Sequence, residues 1–255
     1  MYDEKLLLDF AIRFLGYGSL KSDIWLIGPE AGGGQTIPEV YQRATVWKDR
    51  GRKETEDLHG YHAALKLPPS FDWTQKIQPT WGRLIRVILG LDKRCEAETE
   101  EVMHFQRDEL GRANGNNSVL DLSPLISPSS TDGRLAEFGF PWLRTKEESK
   151  ARLFPCRCDL IQDRLVRYRP KLVLFYGLSH KEWWERISAC RFSPSRVLQQ
   201  LFVARSGETL FALIPHPNAI RLPGKGAVKA FLAEVGTAVR EELQALPNTA
   251  RRLAL

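Results

Sequence analysis

Three polar groups in this chain stand where acid–base chemistry needs them, at the ends of short apolar runs. Glu30 follows Ile24-Trp25-Leu26-Ile27-Gly28-Pro29, Asp121 and Ser123 close the run from Ser118, and His216 follows Thr209 to Pro215. Apolar runs of this length bounded by Gly and Pro read as buried strands. In an open α/β sheet, ligands bind at the carboxyl ends of the strands. A carboxylate there can orient or deprotonate a water, and an imidazole can stabilise a departing group by donating a hydrogen bond. Pro215 and Pro217 hold His216 in a rigid turn, and Asn218 follows as a small polar group that could meet a phosphate. Gly32-Gly33-Gly34, just after Glu30, leave a ligand unobstructed. A solvated Glu in a tight turn would fit the first motif as well; what separates the readings is whether these groups meet.

The elements that must position them alternate. Apolar positions at helical spacing (Leu6, Leu7, Phe10, Ala11, Phe14) give an opening helix over 3–15. Strands are expected at about 23–28, 118–122, 171–176 and 209–214. Helices are expected at 81–91, near 156–168 and at 227–246. Residues 35–80 read as a long surface excursion with one or two short helices, and 126–150, rich in Ser, Pro and Gly, as a mobile flap. Strands alternating with helices predict an α/β fold: one domain over 1–255, a three-layer α/β/α sandwich around a central, mainly parallel four-stranded sheet.

The bulk composition narrows the function classes. The chain has 255 residues, 43% hydrophobic and 27% charged, as expected of an ordinary globular protein. It lacks an apolar run near 18 residues and a basic, apolar N-terminal leader, so a cytoplasmic protein without a membrane span is expected. A net charge of +6 suits a phosphate-rich partner. Cys95, Cys156, Cys158 and Cys190 are too scattered for a disulfide framework, and Cys156-Arg157-Cys158 lacks a second ligand pair, so no metal is expected.

Taken as a set, these motifs resemble the uracil-DNA glycosylase superfamily. Gly28-Pro29-Glu30-Ala31-Gly32 is similar to its first motif, Asp121-Leu122-Ser123-Pro124-Leu125 to the Asn-x-Cys-Pro-Leu element of its single-strand-selective branch, and His216-Pro217-Asn218-Ala219 to its last motif. Arg169 through Gly177 resembles its third strand. The resemblance spans about residues 20–240 through short motifs. It implies a monofunctional DNA glycosylase, without cofactor, that flips a nucleotide from DNA and hydrolyses its N-glycosidic bond. Glu30 would then orient or deprotonate water, and His216 would donate to the O2 of the leaving base. An aromatic ring would sandwich the base: Trp81 is the first choice, with Phe71 or Trp47 as alternatives. Ile220-Arg221-Leu222 would wedge into the gap left in the DNA, unless it is a packed loop. Asn218, Lys225 and Lys229 would contact phosphates, unless the lysines are simply a solvated helix start.

Two departures from the family point to the substrate. Asp121 replaces the Asn that reads uracil, and an ionised carboxylate accepts from an exocyclic amine but cannot donate to O4, which favours a cytosine-type base. Gly32 stands near where the strictest uracil enzymes carry a tyrosine that blocks substituents at carbon 5. With Ser123 and Trp81, these residues form the expected base pocket. The expected substrate is a 5-substituted cytosine, such as the hydroxymethylated or glucosylated bases of some phage DNAs, and the expected role antiviral defence. A repair glycosylase for uracil or another deaminated base, and a non-catalytic DNA-binding protein on the same frame, remain the alternatives.

Overall fold

The computed structural model describes residues 2–32, 36–66, 76–92, 96–126, 134–223 and 225–245. Their elements run α1 (Glu4–Arg13), β1 (Gly16–Gly18), β2 (Ile24–Glu30), α2 (Ile37–Asp49), β3 (Thr55–Glu56), α3 (Leu58–Leu65), α4 (Pro79–Leu91), α5 (Thr99–Asp108), β4 (Asn117–Ser123), α6 (Lys146–Tyr168), β5 (Leu172–Tyr176), α7 (Lys181–Ser188), β6 (Ser193–Pro194), β7 (Phe202–Ser206), β8 (Thr209–Ile214) and α8 (Lys225–Gln244). Several helices start on polar caps. Asp3 accepts from the Leu6 amide, Gln78 from the Trp81 amide ahead of Pro79, and Thr145 forms a reciprocal box with Glu148.

The fold is α/β, but its sheet corrects the four-stranded expectation. Eight strands form one mixed sheet in the order β3-β1-β4-β2-β5-β8-β7-β6. The four expected strands are its parallel centre, β4-β2-β5-β8. On one flank β1 runs antiparallel to β4; on the other β7 runs antiparallel to β8 and carries β6. These edges escape sequence reading because β1, β3 and β6 are only two or three residues long. β7, half exposed, lacks the apolar run that marks the centre. It is set by a hairpin in which Gly207, at φ 57°, takes the left-handed conformation between Ser206 and Thr209.

Every residue of β4, β5 and β8 is buried. Parallel strands buried on both sides need helical cover on both sides. Helix α4 packs on α5 and α8, α1 packs on α2 and α6, and α6 packs on α7 and β4.

Two further expectations change. Of the proposed flap, residues 127–133 lie outside the described part. The remainder is ordered secondary structure: short 3-10 turns at Arg134–Phe138 and Pro141–Leu143, then the first turn of α6. Helix α6 begins ten residues before the sequence suggests, because its first turn is polar and held by its cap, and it continues through Pro155. Trp47 is fully buried against Phe10, and its indole nitrogen donates to the Lys53 carbonyl at 2.7 Å, so it belongs to the core rather than to a base pocket.

Candidate active site

Strand register brings the sequence-identified groups together. In the β2–β4 ladder Gly28 lies opposite Asp121 and Glu30 opposite Ser123. Strand alternation therefore sets these four residues on one side of the sheet. On β5, Tyr176 follows Phe175, the partner of Ile27, and pairs with Ile214, two residues before His216. A row thus crosses four strands at their carboxyl ends, with an acid near one end and an imidazole at the other. Glu30 and His216 are separated by two strand intervals, about 10 Å, with Tyr176 of β5 between them.

Asp121 is the unusual member. It is 7% exposed, and no hydrogen bond to its carboxyl is found among the described residues. Burial pushes its pKa up to about 7; Arg157 and Arg43 oppose that rise, and the Glu30 charge adds to it. The fully buried Arg157 does not bond the carboxyl. Its guanidinium donates to the carbonyls of Ile12 (2.9 Å), Phe14 (2.6 Å), Leu122 (3.0 Å) and Asp121 itself. Arg157 therefore ties the end of α1 to β4 and supplies positive charge, while leaving the Asp121 carboxyl unpaired.

His216 is held as a neutral donor. Its Nδ1 accepts from the Asn218 amide at 3.2 Å, which leaves the proton of a neutral ring on Nε2. Burial, with the nearby Arg83 charge, lowers its pKa below the ordinary histidine range. The turn is tied to α4: Arg83 donates to the Pro217 carbonyl, and Asn218 Nδ2 donates to Thr80 Oγ1 at 2.8 Å. The Asn218 side chain, expected on a phosphate, thus braces the histidine turn in this structure.

Glu30 is paired with Lys146, whose Nζ lies 3.2 and 3.3 Å from the two carboxylate oxygens. Beside the pair lies a cavity of about 30 Å³ lined by Ser123, Leu125, Thr145 and Lys150. That volume suits one or two waters and excludes a base. A second rim histidine, His180, follows β5. Burial lowers its pKa, with Lys150 and Lys146 adding to the effect and Glu30 opposing it.

The remaining expected contacts divide. Gly32 is exposed, and among the described residues a Cβ there would meet only the Gln78 amide at 3.7 Å; Gly33 and Gly34 lie outside the described residues. Trp81 sits in the first turn of α4, capped by that same Gln78, half-buried with its ring edge-on to His62 at 6.0 Å. Phe71 lies outside the described residues. Ile220, at 7% exposed, is part of the core, which corrects its role as a wedge: the short loop is anchored by it. Arg221 is exposed and Leu222 half-buried. Both line a groove of about 480 Å³ with Arg83, Arg86, Val228 and Lys229, a lining that holds four cations and no carboxylate. Lys225 begins α8; its side chain is outside the described part.

Sequence reasoning missed Tyr176, Lys146, Arg157 and His180. Tyr176 read as one more apolar strand residue, and Lys146 and Arg157 fell in stretches taken for a flap and a free-thiol motif. Only His180, just past the Gly177 strand end, carried a signal of the kind that marked His216.

Cys156, Cys158 and Cys190 are free thiols. Among the described residues no cluster of three or more His, Cys, Asp or Glu is placed to hold a metal ion, and no helix is long and apolar enough to cross a membrane. No family model matches this chain, and no curated protein does.

Proposed function

We propose that this protein is a DNA glycosylase of the uracil-DNA glycosylase type, acting on a 4-aminopyrimidine with a substituent at carbon 5. The observation that carries this reading is Asp121: a buried carboxyl with no hydrogen-bond partner among the described residues, in the same row as Glu30 and His216. A buried polar group left unpaired costs roughly 1–3 kcal/mol, and a ligand that hydrogen-bonds it recovers that cost. At its raised pKa Asp121 is available both ionised, accepting from an exocyclic amine, and protonated, donating to a ring nitrogen.

The geometry supports the following chemistry. The N-glycosidic bond breaks as the base leaves with the bonding electrons. His216 Nε2–H donates to the developing negative charge on O2, a role suited to a neutral imidazole. Glu30 orients the water that attacks the anomeric carbon and accepts its proton, and its charge stabilises the cationic sugar; the cavity beside it has room for that water. Lys146 holds the carboxylate in place. The basic groove beside the histidine turn would take the phosphodiester backbone. The open side at Gly32 would admit the 5-substituent, and an enzyme removing phage-modified bases inside a bacterial cell would act in antiviral defence.

The test is to incubate the full chain with DNAs containing uracil, cytosine, 5-hydroxymethylcytosine or glucosylated 5-hydroxymethylcytosine and identify freed bases by mass. Release of a 5-substituted cytosine is expected. Release of uracil alone moves the protein to deaminated-base repair, and DNA binding without any release leaves a binding protein.

A further inference from the structure

The side chain of Tyr176 lies across Gly28. A Cβ added to Gly28 would stand 2.0 Å from the tyrosine hydroxyl oxygen and 2.2 Å from Cζ. Only a residue without a side chain lets the ring fold over β2 at this point. Gly28 is the register partner of Asp121, so the hydroxyl stands in the column next to that carboxyl, about one strand spacing (~5 Å) away. The other edge of the tyrosine ring meets the His216 ring at 5.5 Å in an edge-to-face contact. The hydroxyl therefore occupies the middle of the row, between the acid and the imidazole.

Tyr176 is 3% exposed, and no hydrogen bond to its hydroxyl is found among the described residues. Phenylalanine would fill the same space without the cost of burying an unpaired hydroxyl. Two neighbouring groups, the Asp121 carboxyl and the Tyr176 hydroxyl, thus lack hydrogen bonds at one strand end among the described residues. Unpartnered polar atoms sealed from solvent also occur elsewhere, as at Trp25 Nε1 and Arg86 Nε, but Asp121 and Tyr176 lie side by side in the row that holds Glu30 and His216. That is the pattern of a site whose hydrogen bonds are completed by a ligand. Burial and the Asp121 charge also keep the phenol far from ionisation, so it is present as an O–H donor.

We infer that Tyr176 is a second base-binding residue, whose hydroxyl donates to the ring nitrogen N3 of the everted pyrimidine while Asp121 accepts from the adjacent exocyclic amine. This rests on the glycosylase reading and adds a contact that its motifs do not specify. The spacing of the two groups lets two hydrogen bonds run to neighbouring atoms on one edge of the base. N3 of an aminopyrimidine is an acceptor and meets the O–H directly.

The test is a cycle of binding measurements on the full chain, with free cytosine and 3-deazacytosine, which has C–H in place of N3, titrated against wild type and Tyr176→Phe. Wild type should bind cytosine about tenfold more tightly than 3-deazacytosine, the loss of one hydrogen bond. Tyr176→Phe should bind the two alike, with cytosine weakened about tenfold and the melting temperature little changed. The ligand-side substitution scores the contact in unmodified protein, so the comparison stands even if the variant folds poorly. Equal binding of the two bases by wild type, or cytosine binding by Tyr176→Phe within twofold of wild type, overturns the inference. Base release from DNA by wild type decides the glycosylase reading separately: it can stand while Tyr176 proves to be packing alone. Wild type that binds cytosine but releases no base loses the enzyme reading and keeps the contact, and wild type that neither binds nor releases a base removes both.

Discussion

The parallel centre of the sheet has polar residues at or next to both of its ends, and Asp121 and Tyr176 at the carboxyl end are partnered differently from those at the amino end. At the amino end, Asn117 accepts from the Gly111 amide at 2.8 Å and donates to the Glu109 carbonyl at 3.1 Å. Asn116 accepts from the Asp23 amide at 3.0 Å, and Ser118 donates to the Ser19 carbonyl at 2.7 Å. Asp57 takes the amides of Gly60 and Ala113 and an ion pair with Arg112 at 3.2 Å. At the carboxyl end, Asp121 and Tyr176 are buried like Asn117, and among the described residues no hydrogen bond reaches their carboxyl or hydroxyl. Cavity size does not separate the ends: the groove at the amino end, lined by Asp57, Asn116 and Asn117, measures about 490 Å³, far more than the space beside Glu30. What separates them is how Asp121 and Tyr176 compare with the Asn, Ser and Asp side chains of the amino end, although Trp25 Nε1 is buried without a partner there and Glu30 is paired with Lys146 at the other end. Polar groups that complete one another hold the loops in place, while polar groups left incomplete are available to a ligand.

Substitutions at the two ends can break this contrast. The largest effect is expected from Glu30→Gln, which should lower base release by roughly 10²–10⁴-fold while DNA binding in a gel-shift assay stays near wild type. An unchanged rate would remove Glu30 from the chemistry. His216→Ala should follow at about 10²–10³-fold in single-turnover rate, the usual size for losing one preorganised donor.

Asp121→Asn should change selectivity and stability together. The folded protein holds Asp121 near pKa 7 against 3.8 for the free group, so the unfolded chain ionises first as pH rises. Wild-type stability therefore falls between about pH 4 and 7 and levels off above that. An amide carries no such penalty, so Asp121→Asn should be the more stable protein at pH 8, by a margin on the order of 4 kcal/mol at most, and should lose that advantage at pH 4. Denaturant melts at the two pH values test the sign. In release assays the amide should shift preference from cytosine-type bases towards uracil.

At the amino end, Asn117→Ala should cost about 1–3 kcal/mol in stability, since it strands the Gly111 amide and the Glu109 carbonyl, and should leave the base-release rate of folded protein unchanged. A loss of rate there would undo the contrast. The smallest effect is expected at the groove: Arg221→Ala should weaken binding to unmodified DNA and reduce the slope of log affinity against log salt by about 1.

Some of this was determined by the sequence alone. The apolar runs at Ile24, Ser118, Leu172 and Thr209 are long enough to bury both faces, and burial is what writes an unbroken apolar run. They marked the parallel centre, and with it the strand ends that carry Glu30, Asp121, Ser123 and His216. Short edge strands such as Gly16–Gly18 leave no such trace, since pairing with a neighbour, rather than their own composition, makes them strands. Register and contact belong to the tertiary structure alone. Nothing local in Leu-Phe-Tyr-Gly says that Tyr176 will lie across Gly28, that Lys146 will reach Glu30 over 116 positions, or that Arg157 will spend its donors on four carbonyls and leave Asp121 unpaired. Sequence specifies which groups are present and the strands that carry them. Whether each one ends up paired depends on neighbours far away in the chain, and so only the folded molecule decides it.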